Sequence, residues 1–266
     1  MTITMTDDRT RTRARGGLRG AIAAEWTKLW SVRSTWWCLL SAGLVMAAAC
    51  AQLAVSHVYD NTHADRPHPG VLSAGDLAIE AVTLVQVVII APAMLMITSE
   101  YSTGSIRSTL LWTPVRHRML LAKVTVLAPV MFAVGTALAL AGAAVADPMM
   151  GRWGTFPVTG VAAAALRVGV YTAVVAAFTL GAGAVLRSAV GTLTCVFLLL
   201  MVVPALLGAA GGAGRHVADA LPSIAGQHFM ATDAHPYGPA AGLAVTAVWA
   251  VAALLAGVWT LHRRDA

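Results

Sequence analysis

Glu100, Arg107, Arg116, Arg118 and Lys123 stand close together in the chain, in one polar stretch between two apolar runs. Charges of both signs at a membrane face can form ion pairs, fix a helix or dock a partner. Enzyme motifs are absent from the sequence. It has no H-E-x-x-H and no G-x-S-x-G, so neither a zinc hydrolase nor an elbow serine is indicated. It has no G-x-x-x-x-G-K-[ST] either, since the only lysines are Lys28 and Lys123 and neither follows a glycine. The chain therefore has no P-loop of its own for ATP. Cys38, Cys50 and Cys195 lie in apolar runs without metal-ligand spacing and read as small apolar fillers, with no disulfide. His57, His63 and His68, with Asp60 and Asp65, raise a metal reading. Their spacing gives no tight ligand pair on a helix, and solvated loop histidines are the preferred reading.

The stretch from Glu100 to Lys123 carries its own start and stop signals. Gly104 permits a sharp turn, Ser105 can cap a helix, Ile106 to Trp112 supply two turns, and Pro114 ends them. A short Arg-rich helix with no active-site constellation, at the inner face of a membrane protein, is a docking element.

The elements that must position it follow from composition. The chain is 58% hydrophobic and 11% charged, where soluble domains carry about 25% charged residues. An all-α membrane protein is expected. Six apolar runs reach the roughly 20 residues that cross a bilayer: Trp36–Ser56, Ile79–Thr98, Lys123–Ala146, Val161–Leu186, Val190–Ala210 and Ala241–Leu261. The first is too long for a signal-peptide core and reads as a retained span. Most of the Lys and Arg residues fall on one side of these spans, and only Arg66, Arg152, Arg167 and Arg215 on the other. The positive-inside rule then places both termini in the cytoplasm of a multi-pass cell-membrane protein. The basic residues flank spans and form no folded patch, which excludes a nucleic-acid partner and leaves membrane lipids as one.

Residues 1–20 read as a disordered basic tail and 21–262 as one transmembrane domain. Within Ile22 to Ser31, Ile22, Trp26, Leu29 and Trp30 share one helical face, while Glu25, Thr27, Lys28 and Ser31 share the other. That pattern predicts an amphipathic helix in the membrane interface, with its tryptophans at headgroup depth. The competing reading is a plain extension of the first span. Gln86 is the polar residue near the middle of the second span. It is either glue between helices or part of a substrate path. Gly181, Gly183 and Ala184 give the fourth span a small-residue face. The loop from Gly211 to Pro239 is long, and its apolar middle predicts short helices. No span carries an acid at mid-depth and none is expected to be broken, which weakens an ion-coupled carrier.

Taken in order, Glu100, Gly104, Ser105, Arg107, Thr113, Pro114, Arg116 and Lys123 resemble the segment after the second span in the membrane subunits of ABC type-2 transporters. Ala24-Glu25-Trp26-Thr27-Lys28-Leu29 with Arg33 is similar to the amphipathic entry helix of that family. Ser105 stands where threonine is common. The resemblance covers about residues 20–262. It implies six helices, a coupling helix at about Ser105–Trp112 and outer helical elements between the fifth and sixth spans. It also implies a second permease subunit, the same or related, and separate ABC ATP-binding subunits that hold the ATP, so that this chain has no cofactor. The activity implied is export of a lipophilic or amphipathic substrate, such as a drug, antibiotic or lipid, along a path near Gln86. A membrane-anchored assembly or sensor protein and an ion-coupled carrier are the other readings.

Overall fold

The computed structural model describes residues 18–63, 65–66, 68–105, 116–232 and 235–263. The fold is all-α, with six passages long and apolar enough to cross a membrane. The N-terminal helix α1 (Leu18–Ser31) is separate from α2 (Arg33–Thr62), the first passage, because Val32 between them is extended at φ −91° and ψ 121°. Three tryptophans hold the corner. The Trp26 and Trp30 rings meet edge to face at 5.7 Å, Trp36 lies 5.3 Å from Trp30, and Trp36 Nε1 donates to the Trp30 carbonyl at 3.3 Å.

The second passage is broken, against the expectation of uninterrupted spans. It consists of α3 (Ala74–Ile89) and α4 (Ala91–Ser102), with Ile90 between them. Pro92 is the cause: it has no N–H, and its ring crowds the carbonyl four residues back. The fifth passage is interrupted in the same way. Between α7 (Ala189–Phe197) and α8 (Val203–Ala209), residues Leu198–Val202 form a π-helical segment, and the Val203 N–H reaches back five residues to the Leu198 carbonyl. The widened turn accommodates Pro204, which would otherwise crowd Leu200.

The third passage is α5 (Arg116–Met150), the fourth α6 (Val158–Leu186) and the sixth α11 (Pro239–Arg263). Helix α6 is the centre of the bundle, packed by α3, α4, α5 and α11. Small residues allow the close approach. A Cβ on Gly181 would lie 2.5 Å from the Ala253 backbone, and one on Gly169 2.7 Å from the Phe132 carbonyl. At the end of the bundle away from α1, β1 (Leu72–Ser73) pairs in parallel with β2 (Gly154–Thr155). There His57 and Asn61 both bond the Gly70 carbonyl, so His57 closes a loop and is not one of a solvated set. Two short helices, α9 (Gly212–Asp219) and α10 (Pro222–Ala231), fill the long loop as expected, and α10 packs on α11.

The small-residue face gives a direct test. Gly181→Ala must push α6 from α11 and is expected to lower stability by about 1–3 kcal/mol. Gly208→Ala meets no atom within 4 Å and should change stability by less than about 0.5 kcal/mol. Thermal unfolding of the detergent-solubilised chain reads both.

Candidate functional site

The chain has two lysines and, at positions 25, 80 and 100, three glutamates. Both lysines and two of the glutamates meet at the end of the bundle beside α1. Lys123, about two turns into α5, is 0% exposed. Its ammonium donates to Glu25 Oε2 at 2.7 Å, to Glu100 Oε1 at 2.9 Å and, at 3.4 Å, to the Met96 carbonyl. Three donors thus find three acceptors, which is the capacity of a lysine ammonium. Lys28, half exposed, donates to Glu25 Oε1 at 3.0 Å and Glu100 Oε1 at 2.9 Å. Glu25 is 3% and Glu100 6% exposed.

Local structure explains the convergence. Glu25 and Lys28 are three residues apart on α1 and so project from one face. Met96 and Glu100 are four apart on α4, which turns the carbonyl of one and the carboxylate of the other toward the same neighbour. Helix α5 begins antiparallel beside them and carries Lys123 inward. Burial alone disfavours the Lys28 charge, but the Glu100 and Glu25 carboxylates outweigh it and raise its pKa above the ordinary lysine value. Lys28 therefore contributes fully below that ordinary value, and its contribution fades only as pH rises through the raised one. Next to the cluster, Arg187 stacks on the Tyr101 ring at 5.3 Å and reaches the Thr260 carbonyl at 3.4 Å, which joins the ends of α4, α6 and α11.

Several sequence expectations look different here. The helical wheel puts Glu25 on the water face of α1; the structure buries it, because Lys123 supplies the charge it needs. Trp26 is 50% exposed and Trp30 partly buried. Sequence places Lys123 at the start of the third span and among the residues that carry the resemblance, and its burial is the feature that spacing does not show. A signal existed, since lysine is scarce among the chain's basic residues. A compact ammonium on a flexible stem suits a small closed site better than a planar guanidinium does. Gly104 makes the expected turn, at φ +71°, and Ser105 Oγ pairs with Thr103 Oγ1 at 3.0 Å. Arg107, Thr113 and Pro114 lie outside the described residues, and with them the expected coupling helix; Arg116 opens α5. Gln86 is buried within the chain. It is 2% exposed, accepts a hydrogen bond from the Tyr171 hydroxyl and donates to the Thr83 carbonyl at 3.0 Å, all inside one chain. It is glue between α3 and α6.

The four side chains are paired with one another. What the cluster can do is tether α1, α4 and α5 to one another. Removing one member of a buried charge set leaves the others unpaired, at a cost of about 3–5 kcal/mol. Lys123→Met should show that loss, while Lys28→Met, at a half-exposed position, should cost about 1 kcal/mol or less. Thermal unfolding, with proteolysis to follow release of α1, distinguishes the two; equal losses would mean that Lys123 is not the centre of the tether.

A scan against protein-family models finds no match to the chain, and a search of curated proteins finds none.

Proposed function

We propose that this chain is the permease subunit of an ABC type-2 exporter. It moves a lipophilic or amphipathic molecule out of the cell with ATP hydrolysed by a separate subunit, and it works beside a second permease. The resemblance of residues 24–33 and 100–123 motivates the reading, and the buried cluster is the observation that supports it best. Residues from both resembling segments, Glu25 and Lys28 from one and Glu100 and Lys123 from the other, are bonded together. The polar stretch between α4 and α5 leaves directly from this joint. A push on it by an ATPase would be carried into α4, α5 and α1 at once, which is what coupling requires physically. Both termini lie in the cytoplasm in this reading, as does the cluster.

The first experiment is orientation. Cysteines placed at Arg66, Arg152 and Arg215 should label from outside the cell, and those at Arg15, Arg116 and Arg263 should not. Labelling of position 116 from outside would remove the ATPase contact and the permease reading together.

The second is coupling. An ATP-binding subunit should co-purify with the chain, and the reconstituted complex should hydrolyse ATP faster with substrate present. The chain alone should bind no nucleotide specifically. Gly104→Val meets no neighbouring atom but forces a β-branched residue to positive φ. It and Glu100→Ala should abolish the stimulation, while Arg13→Ala should leave it unchanged. Assembly is measured separately, so that a variant that fails to assemble is not scored as uncoupled. Wild-type stimulation in both variants would refute the role of this segment.

A further inference from the structure

A cavity of about 650 Å³ opens beside the charge cluster, between α1, the start of α2, α4 and α5. That volume is in the range of small-molecule sites. Leu29, Val32, Pro92, Leu95, Met96 and Met119 give it a mostly apolar lining, to which Glu25, Lys28, Glu100 and several serine and threonine side chains also contribute. The cluster's carboxylate oxygens are used unequally. Both oxygens of Glu25 accept from lysines, and Glu100 Oε1 accepts from both lysines. Among the described residues, nothing donates to the buried Glu100 Oε2. Buried carboxylate oxygens are ordinarily satisfied, and one that is not calls for a missing donor.

Charge decides what kind of donor. Among the described residues, two lysines and two glutamates already balance, so a cationic head would add an unmatched charge beside them. A neutral O–H satisfies Oε2 without that cost. Glu100 is one of the residues that line the cavity. The apolar lining then takes the rest of the molecule.

We propose that this cavity binds a neutral, apolar molecule carrying a hydroxyl, whose O–H donates to Glu100 Oε2. The site lies wholly within one chain and needs no ATPase, so it stands or falls separately from the permease reading.

The test uses the purified full chain alone, in lipid nanodiscs. The probe is a long-chain primary alcohol bearing an alkyl diazirine, and its methyl ether is the control, with the same apolar body and no O–H. The alcohol should cross-link saturably to peptides of α1 and α4 that line the cavity. The ether should need about ten- to hundredfold more for the same labelling, the value of a hydrogen bond to a charged acceptor. Ala24→Phe, which projects a ring into the cavity from an exposed position of α1, should remove the labelling. Unlabelled dodecanol and a diacylglycerol placed in the nanodisc identify the source: competition by the second alone marks a membrane lipid, and competition by the first a free amphiphile. Either pattern supports the site. Equal labelling by alcohol and ether overturns the hydrogen bond, and labelling that never saturates or ignores Ala24→Phe overturns the site.

Discussion

A lysine ammonium cannot stay charged in an apolar interior without anions against it, and Lys123 is fully buried. The desolvation cost of such a group is several kcal/mol even after relaxation. Among the described residues two carboxylates reach it, and they come from separate parts of the chain: Glu25 on α1 and Glu100 at the last turn of α4. Helix α1 is therefore held to the bundle by an electrostatic requirement as well as by apolar contact. The corner at Val32 lets α1 lie against α5 with Glu25 on Lys123. The tryptophan ladder and the Arg187 to Tyr101 stack then fill the space around a joint whose position is already set.

The passages were legible because apolar length is a strong signal. The helices run from Arg33 to Thr62, Pro239 to Arg263 and so on, a few residues past the apolar runs. The reason is physical: hydrogen bonding continues the helix after the hydrophobic core of a bilayer would end, and a count of apolar residues stops earlier. The interruptions were less legible. Pro92, Pro129, Pro148 and Pro204 all sit in helical passages, and sequence alone does not say which carbonyl each displaces. Pro92 parts α3 from α4 and Pro204 accompanies a π segment, whereas Pro129 and Pro148 lie within one unbroken helix, α5.

The site was half legible for a different reason. Periodicity sorts residues by polarity, and it sends every charge to the water side. It cannot know that a charge on one helix is neutralised by a charge on another that is distant in sequence. Glu25 was thus assigned to solvent and Lys123 to a span end, though the resemblance named Glu25, Lys28, Glu100 and Lys123 without showing that they touch. Gln86 shows the converse. A polar residue in mid-span invites a functional role, yet here its bond to Tyr171 and its own helix account for it.

The second passage holds its stiff and soft points close together. At its cluster end, Glu100 and the Met96 carbonyl fix α4 to Lys123. On the other side of the break, Gln86 fixes α3 to α6 through Tyr171. Ile90 lies between these two anchors, and the proline that follows removes a backbone hydrogen bond that would resist bending. Helix α4 is itself packed on α6, and the Arg187 to Tyr101 stack ties their ends together, so both halves of the passage are held to the same central helix. The proline therefore turns α4 relative to α3, and the cluster and α6 together hold α4 where that turn leaves it.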